Sequence, residues 1–115
     1  MQALLAMGYQ PVMLRGTGKV VDIGIQRTAE ALTERDGDVV LASHDVDFLP
    51  QMTALAEDED RRVALMGFNE FIAGGLREIP GVEVWDMEHD VQAFDAPLPR
   101  MRVIDIEDFD PFEFL

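Results

Sequence analysis

Two carboxylates stand two residues apart in Leu41-Ala-Ser43-His44-Asp45-Val-Asp47-Phe48, at the end of a short apolar run. Acids this close repel each other unless a cation or proton sits between them, so Asp45 and Asp47 suit a divalent-metal site. The same pair suits a plain helix junction, with Asp47 as the cap and Asp45 a solvated turn residue. A second group, Lys19, Asp22 and Gln26, falls at i, i+3 and i+7, which is one polar face of a helix. The helix dipole alone favours a carboxylate in a first turn, as at Asp22. Arg15 and Lys19 are suited to phosphate oxygens. Arg15-Gly-Thr-Gly-Lys19 is nevertheless not a Walker A loop, because it lacks the four-residue spacer and the Ser/Thr after the lysine. His44 offers a ligand or proton carrier, but nothing in the sequence pairs with it. Phe68, Phe71 and Trp85 read as core or rim aromatics rather than a stacking surface.

The positioning elements follow from periodicity. Met1–Gly8 reads as the last turns of a helix closed by Gly8. Tyr9–Arg15 has strand character, with Pro11 suggesting an edge position. Val21, Ile25, Ala29 and Leu32 form one helical stripe within a helix from Val20 to about Glu34. Val39–Ala42 is a continuous apolar run, as expected of a strand buried on both faces of a parallel sheet. A helix is predicted from Phe48 to about Glu57, with Pro50 tolerated in its first turn. Arg61–Met66 is the next strand. Asn69 is expected to cap a helix to about Ile79 with Phe71, Ile72, Leu76 and Ile79 inward. Val82–Met87 is a further strand. This alternation predicts an α/β fold with a mostly parallel central sheet, and functional groups gather beyond the carboxyl ends of such strands. Residues 1–92 read as the domain and 93–115 as an acidic extension with one possible strand, Met101–Ile106.

Composition sets bounds on the chemistry. The 115 residues suffice for one domain with its own core, and 48% are apolar. Cysteine is absent, so a metal must be held by oxygen or imidazole, and with only two histidines a hard cation on carboxylates is favoured. The net charge of −14 is uneven: residues 83–115 carry ten acids against Arg100 and Arg102. Such a chain repels polyanions at long range, which counts against a dedicated nucleic-acid-binding module but less against a metal-neutralised enzyme. No apolar run is long enough to cross a bilayer and the start lacks a signal peptide's positive region, so a cytoplasmic protein is expected.

A basic residue followed by Val-Asp at a helix start, then a buried strand ending in Ser-x-Asp-x-Asp-Phe, resembles the NYN domain family, relatives of the PIN nucleases. The matching residues are Lys19-Val-Val-Asp22-Ile and Leu41-Ala-Ser43-His-Asp45-Val-Asp47-Phe48-Leu-Pro50, and the likeness extends over about residues 9–87. It implies a three-layer, Rossmann-like sandwich hydrolysing RNA phosphodiester bonds. Asp22, Asp45 and Asp47 would bind Mg²⁺ or Mn²⁺ and carry catalysis, and Arg15, Lys19 and Ser43 would contact RNA. Two positions depart from the pattern: His44 stands where glycine is usual and Thr28 where a further acid is common. The family's first, central strand would precede the opening helix, so this chain is expected to lack it. The gap beside Val39–Ala42 would then be filled by Met101–Ile106 (with Asp105 as a replacement acid), by another chain, or by a second copy.

The alternative is a non-catalytic RNA- or protein-binding regulatory module on the same fold. Few basic residues and the Phe-studded tail favour it, since Asp110–Leu115 is suited to a partner's hydrophobic groove. Asp45-Val-Asp47 also matches the Asp-x-Asp of haloacid-dehalogenase-like phosphatases, but Leu49 stands where that family has Thr or Val. A phosphorylatable receiver domain would need a lysine after Lys19, and none is present.

Overall fold

A computed structural model describes residues 2–99 and 103–115. Its centre is a three-stranded, all-parallel sheet in the order β1 (Val39–Ala42), β2 (Val63–Gly67), β3 (Val82–Asp86). Val39 is level with Val63, and Val63 with Val82, so Val39 and Leu41, Val63 and Leu65, and Val82 and Val84 share one face. The helices are α1 (Gln2–Ala6), α2 (Val20–Leu32), α3 (Leu49–Ala56) and α4 (Gly74–Arg77). The chain is α/β, as its alternating pattern predicts.

β2 lies between two neighbours and is the most buried element, with Val63 and Leu65 fully enclosed. Its uninterrupted apolar run is the signature of a strand covered on both faces. Around it pack Met52 and Leu55 of α3, Leu76 of α4, and Phe48, Ile72 and Ile79. From α2, Ile25, Ala29 and Leu32 reach this core only partly, and no residue of the helix is buried. Val21, the first member of the predicted stripe, is 67% exposed.

Polar contacts tie the loops below the sheet. The buried Arg61 side chain donates to the Arg35 carbonyl after α2 and lies 3.6 Å from Asp58 after α3. Arg62 forms a two-pronged pair with Glu83 at 2.8 and 3.0 Å, which joins β2 to β3.

Several predicted elements differ. Tyr9–Arg15 forms no strand. A strand needs a partner for its backbone, and α1 ends just before this segment in a Schellman motif. There Tyr9 N–H reaches the Leu4 carbonyl and Gly8 reaches that of Leu5, with Gly8 at φ +87°. The predicted helix from Asn69 to Ile79 shrinks to four residues. Gly74-Gly75 propagates a helix poorly, and the chain ahead of it runs in turns, with Asn69 N–H donating to the Asp86 side chain. Phe71 consequently stays 58% exposed, whereas Ile72, Leu76 and Ile79 point inward as expected. Of the predicted Met101–Ile106 strand, residues 101 and 102 lie outside the described residues. Val103–Asp105 are unassigned and Ile106 opens a 3-10 turn. Among the described residues no helix is long and apolar enough to cross a membrane.

Candidate metal centre

The site forms where β1 ends. After Ala42 the chain turns through Ser43 and Asp45 into a 3-10 turn at Val46–Phe48, which leads directly into α3. Ser43 Oγ accepts the Asp45 N–H at 3.1 Å, and Asp45 Oδ1 accepts the Asp47 N–H at 2.9 Å. Asp45 is therefore the cap of this turn, the reverse of the sequence expectation that Asp47 caps and Asp45 is free. One Asp45 oxygen is committed to the backbone and the other is left to act elsewhere.

α2 supplies the third acid. Asp22 sits in its first turn, and the helix returns its N-terminal end to the side of the sheet where β1 finishes. Oxygens of Asp22, Asp45 and Asp47 all lie within 4.8 Å of one another. Gln26, one turn along the same face, donates to the Asp47 backbone carbonyl at 3.2 Å and locks α2 to the loop. Gln26 was legible in the sequence only as a neighbour on the polar face; its hydrogen bond makes it a positioning residue.

Lys19 adopts the position before α2 and lays its ammonium 3.0 Å from Asp47 and 3.9 Å from Asp22. The hydrogen bond to Asp47 raises the Lys19 pKa, reinforced by the charges of Asp47, Asp22 and Asp45. The side chain is 73% exposed, so solvent screening leaves this contact little energetic weight. Arg15 does not join the cluster. It lies instead along a groove between α2 and β1. Of the six residues expected in the site, the structure thus gathers Asp22, Asp45, Asp47, Lys19 and Ser43 and leaves Arg15 aside.

The donor set suits a hard divalent ion, since all three ligands are carboxylate oxygens. Two oxygens on one Mg²⁺ are at most roughly 4.2 Å apart, and somewhat more on a larger ion. Spacings within 4.8 Å reach that range with small rotations about exposed χ angles. Lys19 would have to move aside.

His44 faces away from this chemistry. Its Nε2 accepts the Phe68 N–H at 2.8 Å, and its ring lies over Gly67, near Phe68 and Phe71. A Cβ at Gly67 would stand 2.6 Å from that nitrogen, so β2 must end in glycine for His44 to dock. Gly67→Ala is expected to dislodge the ring and free the Phe68 N–H, costing roughly 1–3 kcal/mol in chemical denaturation. His44→Ala should lose stability through the same amide.

Asp86, which the sequence offers only as one acid among many, proves to be a loop anchor. It is 8% exposed, and its carboxylate accepts the N–H groups of Asn69 and His89, each at 2.8 Å. The Asn69 bond, then that of His89, holds its pKa below the usual aspartate range against the opposing effect of burial. A carboxyl that is more acidic when folded stabilises the fold fully above its unfolded value of about 3.9. That stability is lost as pH falls through the folded value. The melting temperature of Asp86→Asn should therefore decline less steeply than that of the parent protein on acidification below pH 4.

Comparison with known proteins returns no relative: no family model, no curated protein and no solved structure matches this chain.

Proposed function

We propose that the chain is a metal-dependent ribonuclease-type domain, built as an NYN/PIN-like three-layer sandwich and acting on RNA phosphodiester bonds. The observation supporting this reading is the convergence of Asp22 with Asp45 and Asp47 beyond the carboxyl end of β1, from stretches of chain more than twenty residues apart. Asp22, Asp45 and Asp47 would hold Mg²⁺ or Mn²⁺. Such an ion, when bound, supplies an activated water and stabilises charge developing on the scissile phosphate.

The protein's own residues then position. Ser43 and Gln26 fix the backbone that carries Asp45 and Asp47. The Ser43 hydroxyl accepts from Asp45 and keeps its own proton for a phosphate oxygen. Lys19, when displaced from the carboxylates, reaches the same oxygens as a mobile point charge.

A second reading is favoured by one observation. Lys19 already places a cation between Asp22 and Asp47, so the cluster can be a self-satisfied feature of a non-catalytic RNA- or protein-binding module. Lys19→Met separates the two. If the acids serve a metal, removing the competing ammonium tightens Mn²⁺ binding several-fold by calorimetry, while cleavage of single-stranded RNA falls. No Mn²⁺ binding by either protein would instead select the binding module.

A further inference from the structure

Among the described residues β1 has a partner on one side only. Val39 N–H donates to the Arg62 carbonyl, so by the alternation of a parallel ladder the N–H and C=O of Val40 point to the open side. Val40 itself is 46% exposed. Along this edge runs a groove of ≈ 700 Å³ between β1, α2 and the segment before α2, lined by Val12, Leu14, Val21, Ile25, Val40 and Met52 among others. Unpaired backbone on one wall and apolar side chains around it are together complementary to an extended β-strand.

The charge along the groove narrows the occupant. In a chain of net charge −14, the charged residues lining it are Arg15 and Arg27, and neither forms an ion pair with a described residue. A fitting strand is therefore apolar, β-branched and accompanied by acids. The chain contains one. Val103-Ile-Asp105-Ile106 is as long as β1 and precedes Glu107 and Asp108, with Val103 92% and Ile106 83% exposed. Only a three-residue 3-10 turn, a weak element, holds Ile106 out of an extended conformation.

We propose that Val103–Ile106 of a second copy adds to the open edge of β1, and that two copies exchange these segments reciprocally. Ile104 and Ile106 enter the groove, while Asp105 and the acids that follow approach Arg15 and Arg27. This inference is independent of any activity of the acid cluster.

Sedimentation velocity across a concentration series tests it. The protein should show a monomer–dimer equilibrium. Val40→Pro, which removes the outward donor without breaking the ladder to β2, should weaken dimerisation by about tenfold or more. Ile106→Pro, at the other side of the joint, should do the same. An equimolar mixture of the two variants should regain association, since one keeps its groove and the other its tail segment. Arg15→Glu with Arg27→Glu changes only exposed side chains and should also weaken the dimer, so the test survives if Val40→Pro fails to fold. A monomer at every concentration, including one in which the segment folds back onto its own β1, would overturn the proposal. A dimer indifferent to both the arginine and the Ile106 changes would overturn it too.

Discussion

Asp45→Asn should abolish Mn²⁺-dependent cleavage of single-stranded RNA, with a loss of at least about a hundredfold, while leaving the fold intact. The reason lies in the two jobs of this side chain. One oxygen accepts the Asp47 N–H, and an asparagine carbonyl can take that bond in the same place. An oxygen of this carboxylate also lies within 4.8 Å of oxygens of Asp22 and Asp47, and the amide removes the negative charge there and adds a donor group where a cation needs acceptors. Circular dichroism and melting should scarcely change while turnover disappears. Equal cleavage by Asp45→Asn and the parent protein would remove Asp45 from the chemistry. Activity lost together with the fold would show the capping bond to be the part that matters.

The largest effect on stability is expected at Leu65. It is fully buried in the middle of β2, which has a neighbouring strand on each side. Leu65→Ala removes its apolar surface and leaves a cavity that flanking strands cannot close, so a loss of roughly 2–5 kcal/mol is expected. For a domain with a core this small, that is a large share of the total. Urea unfolding should show a lower midpoint with an unchanged slope. A change of less than about 1 kcal/mol would mean that the centre of the sheet relaxes around the gap.

The sheet was readable because its strands are short apolar runs between turn residues. In Val63–Leu65 burial agrees with pattern, whereas Val39–Ala42, expected to be buried on both faces, is an edge strand whose alternate residues Val40 and Ala42 are exposed. Tyr9–Arg15 shows the limit of that reasoning. Its composition favours a strand, but pairing is a property of neighbours, and the edge of β1 lies across a groove from Val12 and Leu14. The helix expected at Asn69–Ile79 shortened to Gly74–Arg77 because turns replace it before Gly74 and the Gly74-Gly75 pair propagates a helix poorly. In the candidate site, the i, i+2 pair Asp45 and Asp47 was visible directly. The approach of Asp22 depends on how α2 crosses back over the sheet, which no local pattern specifies. The division of labour between Asp45 and Asp47, the bond from Gln26 and the docking of His44 over Gly67 required coordinates.

The two rims of the sheet are unequal, and this limits how copies of the molecule can assemble. On β3 the outer strand carries Glu83, locked to Arg62, and ends in the committed carboxylate of Asp86, both of which discourage another strand from docking. Among the described residues the β1 rim alone is open. In the proposed exchange each copy brings one open rim and one tail segment, so reciprocity is what closes the pair; one-way donation would leave a free rim on every added copy and extend the assembly.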